Sequence, residues 1–271
     1  MSMNAINNKA IQASSFYFCL LMLAIITGLT SCGKKENTVP EKEKEEEVTE
    51  EEMPANETLF YKLNRVENIP ATQENNSSSD ATPVFYSLDN KIILGATHQK
   101  TRNWDLAFGG LFNSFLSGNN GSNNTNLGKG STAEGGILIL SESFDNVINI
   151  PADSEFKTGG NLIGTDDYGY FGEGTGWYLY DFNGNIVRNG AEEDQHVAYT
   201  LYNGLTLKDN TVISPRTIVV KTAKGHYAKI KMISCYKDLY NPEDWKKSSP
   251  KMYFTFEYIM VPKGSTKFEI K

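Results

Sequence analysis

The chain is poor in the residues on which many exported domains and most recognisable enzymes depend. Its 271 residues include three cysteines, and their positions exclude an internal disulfide in the folded part. Cys19 lies inside an apolar leader and Cys32 directly behind it, which leaves Cys235 without a partner. Cys235 falls in the run KIKMISCY and reads as a buried structural thiol. Histidine is as scarce: no pair among His98, His196 and His226 has metal-ligand spacing. No HExxH, GxSxG or phosphate loop is present either. Turn formation accounts for Asp166, Asp167 and Glu173 in GTDDYGYFGEGTGW, so the chain is not expected to be an enzyme. Basic charge is also lacking. The formal net charge is −7, and with no basic stripe a nucleic-acid partner is not expected. Finally, no amphipathic helical pattern runs beyond two turns.

What is present begins with an export signal. Lys9 is the one charged residue before Cys32, and Phe16–Leu29 form an apolar run of 14 residues. That is short of the roughly 20 residues a helix needs to span a bilayer, and it has the length of a signal-peptide core. Leu29-Thr30-Ser31-Cys32 follows at once and resembles the bacterial lipoprotein box, with Cys32 as the lipidation site. Behind it, EKEKEEEVTEEE (residues 41–52) carries eight Glu and two Lys, a solvated, self-repelling spacer. The expected organisation is a signal peptide at 1–31, a lipidated acidic tether at 32–57 and one domain at 58–271. Residues 1–31 hold one Lys and no acid, so the mature charge is −8, of which −6 sits in residues 41–52. The domain itself is nearly neutral.

From residue 58 the pattern is that of strands and turns. LFYKL, TPVFYSL, NWDLAF, GGILILS, NVINI, GWYLYDF, HVAYTLY, RTIVVKT, YAKIKMISCY and MYFTFEYIM are short, apolar and rich in β-branched or aromatic residues. Gly, Asn, Asp or Pro separates most of them. The expected fold is all-β, one antiparallel sandwich or barrel-like domain. In NWDLAF the alternation places Trp104, Leu106 and Phe108 on one face of a half-buried strand, with Asp105 hydrogen-bonding at the edge. RTIVVKT and YAKIKM flank a turn in which Gly225 can take positive φ. Asn183-Gly184 marks a second turn after GWYLYDF, and DFNGN is read as that turn, because it lacks the spacing of a calcium loop. A short helical turn is expected at NPEDWKK, capped by Asn241 with Pro242 at its first position. The Asn/Gly-rich stretch 113–136 reads either as a flap over a site or as a mobile surface loop. His98 and His226 read as exposed. His196 reads as a rim residue, either a surface group or a ligand, and Tyr168, Tyr170 and Phe171 form an aromatic loop able to stack on a flat ligand.

NWDLAF, GWYLYDF and the pair RTIVVKTAKGHYAKIKMISCYKD and YFTFEYIM, in that order and spacing, resemble the HmuY-like haem-binding lipoproteins over residues 82–262. The resemblance implies an all-β domain on an outer-membrane lipid anchor. Such a domain captures haem between two axial side chains, histidine or in some relatives methionine, and passes it to a TonB-dependent receptor. One of those ligand positions corresponds here to Phe182, which cannot bind iron. The other lies in a segment, 151–176, that has no His or Met but contains Tyr168 and Tyr170. Three readings follow. His196, displaced by the insertion DFNGNIVRNGAEEDQ, replaces the lost metal ligand, with Tyr168 or Tyr170 opposite. Alternatively, haem is held by aromatic contacts, or the scaffold binds a glycan or protein partner instead.

Overall fold

The computed structural model describes residues 52–71 and 81–271; the expected signal segment, Cys32 and nearly all of the acidic tether lie outside the described residues. In chain order the strands are β1 (Leu63–Pro70), β2 (Val84–Ser87), β3 (Ile92–Leu94), β4 (Leu106–Gly109), β5 (Phe115–Gly118), β6 (Gly136–Leu140), β7 (Tyr178–Asp181), β8 (Val197–Thr200), β9 (Leu205–Thr206), β10 (Val212–Ile213), β11 (Thr217–Lys221), β12 (Tyr227–Tyr236) and β13 (Lys251–Val261). Among the described residues the only helical pieces are three-residue 3-10 turns, so the domain is all-β. A five-stranded antiparallel sheet runs β1-β13-β12-β11-β6, and a four-stranded one runs β3-β2-β4-β5; β7 pairs with β8, and β9 with β10.

The two larger sheets meet through aromatic side chains. Phe108 of β4 stacks on Phe254 of β13 at 4.4 Å, and Tyr86 of β2 meets Phe256 edge-on at 5.6 Å. Trp177, just before β7, closes on the same Phe254 at 5.7 Å. Offset and edge-to-face pairs of this kind add to the burial of large apolar surfaces. The five-stranded sheet is covered on its other face too. There Val147, Phe156, Val219, Tyr227, Val261 and Phe268 form a second apolar cluster. This two-sided burial explains the unbroken apolar run 218–220 of β11. Lys229 is trapped under this layer, its Nζ donating to the carbonyls of Phe144 (2.6 Å) and Val147 (3.0 Å).

Several expectations are met. The β11–β12 hairpin turns at Gly225 with φ 86°, and Asn241 and Pro242 start the 3-10 turn Pro242–Asp244. Others are corrected. NVINI is not a strand but part of the covering layer, where Asn149 makes a lone bridge to Lys267. LFYKL turns at Tyr61 (φ 59°), and the strand begins at Leu63. Asn183-Gly184 does turn the chain, but β7 and β8 pair only across the excursion 182–196.

NWDLAF differs from the half-buried pattern, because Asn103 to Phe108 are all buried. Leu106 and Phe108 enter the main core, whereas Trp104 packs with Phe85, Leu94 and Ala107 in a separate cluster. Regular pairing begins only at Leu106, so the period-2 parity does not extend back to Trp104, whose indole N–H donates to the Gln99 carbonyl (2.9 Å). Asp105 lies at the centre, not the edge. Its oxygens accept from the backbone N–H groups of Leu88 (2.8 Å), Asp89 (3.1 Å) and Ala223 (2.9 Å).

Residues 113–136 form neither a flap nor a loose loop. They contain β5, after which buried asparagines knit the backbone together. Asn126 donates to the carbonyls of Gly118, Thr158 and Gly159 and accepts from the N–H groups of Asn120 and Gly128. Asn119 donates to Thr101 and Trp104. Side-chain amides here satisfy a backbone that no ladder pairs.

Candidate ligand-binding cavity

A cavity of about 800 Å3 opens between the β7–β8 ribbon and the β12–β13 end of the large sheet. That volume lies within the range of small-molecule and cofactor sites. On β7 the alternation works as a strand should: Tyr178, Tyr180 and Phe182 line the cavity, while Leu179 and Asp181 are fully buried. Leu111, Phe112 and Phe115 supply a second wall, Tyr170 and Phe171 a third, and Lys247 to Tyr253 a fourth. The floor is clamped by Ser114, whose carbonyl accepts from the Trp177 indole (2.8 Å) and whose hydroxyl accepts from Tyr178 (3.0 Å). Phe171 is 73% exposed at the mouth, and Leu111 and Phe112 are exposed beside it.

The aromatic loop is held by a buried ion pair. Asp166 accepts from Arg216 Nη2 (3.1 Å) and Nε (3.3 Å), and also from the N–H groups of Gly176 (3.0 Å) and Tyr168 (3.2 Å). The chain folds back so tightly that a Cβ at Gly172 would lie 2.0 Å from the Asp166 carbonyl oxygen. This explains the glycine there. The insertion after β7 is equally fixed. Buried Asp181 accepts from the N–H groups of Asn185 (3.1 Å), Ile186 (3.0 Å) and Val187 (3.0 Å), so its carboxylate closes a turn. Arg188 then binds Asp194 (3.0 Å) and the Trp245 carbonyl (3.0 Å), delivering the chain to His196.

His196 is half-buried, with φ 55°, immediately before β8. Its Nδ1 lies 2.8 Å from the Tyr180 hydroxyl, and its ring meets Phe182 edge-on at 4.5 Å. Nε2 has no hydrogen-bond partner among the described residues. Tyr170 lines the same cavity, its ring 5.8 Å from Phe182 and its hydroxyl accepting from Asn183 (2.6 Å). Tyr168 does not line it; this side chain is 47% exposed on another surface. Of the three residues read from the sequence, the fold therefore brings His196 and Tyr170 together and leaves Tyr168 apart. His98 lies outside the cavity. His226 does too: its ring packs on Phe60 (5.0 Å) and its Nδ1 accepts from the Lys263 N–H (3.0 Å), and burial lowers its pKa.

Tyr180, Lys251 and Met252 also line the cavity and were not singled out from the sequence. The parity of β7 would have revealed Tyr180, whereas a lysine opening a strand carries no such signal. Burial raises the Tyr180 pKa, lowers that of Lys251, and pushes the Cys235 thiol up to about 12. Phe112, Phe171, His196 and Met252 all hold positive φ, from 54° to 68°. Such conformations are uncommon in residues with side chains and concentrate where a fold shapes a site. Among the described residues no cluster of three His, Cys, Asp or Glu can hold a metal ion.

These features define an all-β domain with an aromatic cavity at a sheet end. The HmuY protein family model matches residues 79–258, about two-thirds of the chain, and the chain belongs to that family, which is associated with haem binding. A solved structure, the apo HmuY analog (TFO) of Tannerella forsythia, aligns over 74% of this chain and 96% of its own, at 14% identity and a TM-score of 0.29. No curated protein matches the chain.

Proposed function

We propose that this protein is an outer-membrane lipoprotein, anchored through Cys32, that captures haem or a related tetrapyrrole in the aromatic cavity and passes it to a TonB-dependent receptor. The observation that carries the reading is a single imidazole set among aromatic rings, with one nitrogen held and the other open. His196 Nδ1 is engaged by Tyr180, and Nε2 has no partner among the described residues. Haem iron takes a neutral imidazole nitrogen as an axial ligand. For Nε2 to serve, Nδ1 must carry the proton and donate to the Tyr180 oxygen, a role a phenol fills. His196 also packs on Phe182, the residue at the position where the family resemblance expects a ligand. Tyr170 is the candidate for the opposite face, and the rings of Phe171, Tyr180 and Phe182 bury the porphyrin.

Haemin titration of the purified protein tests this reading. A shifted, sharpened Soret band is expected, and an unchanged free-haemin spectrum overturns the reading. His196→Ala should remove the ligated spectrum; if it leaves the band intact, His196 is not the ligand. Tyr180→Phe should weaken haemin binding by about tenfold, through loss of the partner that orients the ring. Retention on a glycan array with no haemin response would instead identify a glycan-binding member of the family.

A further inference from the structure

The polar lining of the cavity is one-sided. Among the described residues no aspartate or glutamate lines it, whereas two lysines do, both between residues 247 and 251 beside the hydroxyls of Ser248 and Ser249. Lys247 is already paired, its Nζ lying 3.3 Å from Glu192. Lys251 is not. Among the described residues its ammonium reaches one polar atom, the carbonyl oxygen of His196 at 3.3 Å, and no carboxylate lies within ion-pair distance. The nearby Glu193 carboxylate is occupied by the Ser248 hydroxyl (2.6 Å) and N–H (3.3 Å). A half-buried ammonium without a counter-charge is costly, and the cost is relieved when an anion enters beside it.

We propose that the cavity selects amphipathic anions, with an aromatic body among the rings and a carboxylate or similar group against Lys251. This deepens the haem reading, since a tetrapyrrole with acidic side chains belongs to that ligand class, but its support is the charge arrangement alone. Lys251 is thus a specificity-determining residue, bonded to the backbone of the same histidine whose ring lines the cavity.

Two fluorescent probes of the same aromatic body test the proposal: 8-anilino-1-naphthalene sulfonate, an anion, and its neutral parent N-phenyl-1-naphthylamine. The purified chain should bind the anion more tightly. Lys251→Met should reduce that preference at least about tenfold, the worth of one charged hydrogen bond, while Lys251→Arg should keep it. Equal affinities of the wild type for the two probes, binding of neither, or a preference unchanged in Lys251→Met overturns the proposal. Haemin and its dimethyl ester provide the parallel comparison, with the acid expected to lose affinity in Lys251→Met and the ester to be unaffected. If neither haem compound binds while the sulfonate preference still depends on Lys251, the haem reading fails and the anion selectivity stands. If haemin binds but with an affinity indifferent to Lys251, the selectivity fails and the haem reading stands.

Discussion

At the scale of single residues, Asp105 joins the two segments that carry the family resemblance. Its carboxylate accepts from Leu88 and Asp89 on one side and from Ala223, in the turn of the β11–β12 hairpin, on the other. NWDLAF and KTAKGHY thus touch through this group. An amide at this position has a single acceptor oxygen, so Asp105→Asn turns an N–H donor toward another. Loss of about 1–3 kcal/mol of stability is expected in urea unfolding. The sequence showed a carboxylate in a strand and suggested an edge role. Its central position depends on a partner more than a hundred residues away, which no local pattern reports. Cys235 shows the opposite case. Its apolar surroundings predicted a buried thiol, and it is 1% exposed with its pKa raised to about 12. It should resist alkylation in the native protein at pH 8 and react once unfolded, as mass spectrometry would show.

At the scale of elements, backbone bonds from the Asp166 N–H to the Tyr178 carbonyl (2.7 Å) and from the Tyr170 N–H to the Tyr180 carbonyl (2.9 Å) tie the aromatic loop 166–176 to β7, and the Asp166–Arg216 ion pair fixes its base. Both are buried, so removing one partner leaves the other charge without compensation. Arg216→Met should cost about 3 kcal/mol and weaken any ligand that stacks on Tyr170 or Phe171. Asp166→Asn added to Arg216→Met should recover part of that stability, because no buried charge is then left; a double mutant no more stable than Arg216→Met would argue against this account. The arginine of RTIVVKT was visible in the sequence as part of a hairpin, and the loop as a run of glycines and aromatics. Their pairing was not, because 50 residues separate them. Stretch 113–136 departs from its local pattern for a related reason: asparagine and glycine usually signal loose chain, but here the amides take the place of a strand ladder.

At the scale of the whole molecule, the two sheets place acids where titration acts on stability. Burial first, and then the charge of Asp89, raise the Asp105 pKa to about 8. The unfolded chain holds this carboxyl near the ordinary value of about 4. Between those values the folded state carries the additional proton, so stability falls as pH rises from about 4 to 8. Asp153, Glu134 and Glu257 have lowered pKa values through their lysine and arginine partners, and their stabilisation is lost only as pH falls through the acid range. The two windows therefore separate. Unfolding free energies measured from pH 5 to 8 should decline with pH in the wild type by no more than ~1.4 kcal/mol per unit from this group, and Asp105→Asn should flatten the slope.

The sequence by itself determined that the domain is nearly neutral, since most of the chain's net negative charge lies in residues 41–52, and that it is all-β, because alternating β-branched and aromatic residues between turn formers allow little else. It also determined the late hairpin, because Gly225 has the positive φ that such a turn needs, and it marked the family. Only the tertiary structure decided which faces are buried, since covering both sides of a sheet removes the polar alternation from which a face is read. Only the tertiary structure, too, brought His196 beside Phe182 and Tyr180, and Lys251 beside His196. Those contacts arise from an insertion pinned by Asp181 and Arg188, and from a strand that starts 55 residues later. Distances in space between such segments are set by packing, not by spacing along the chain.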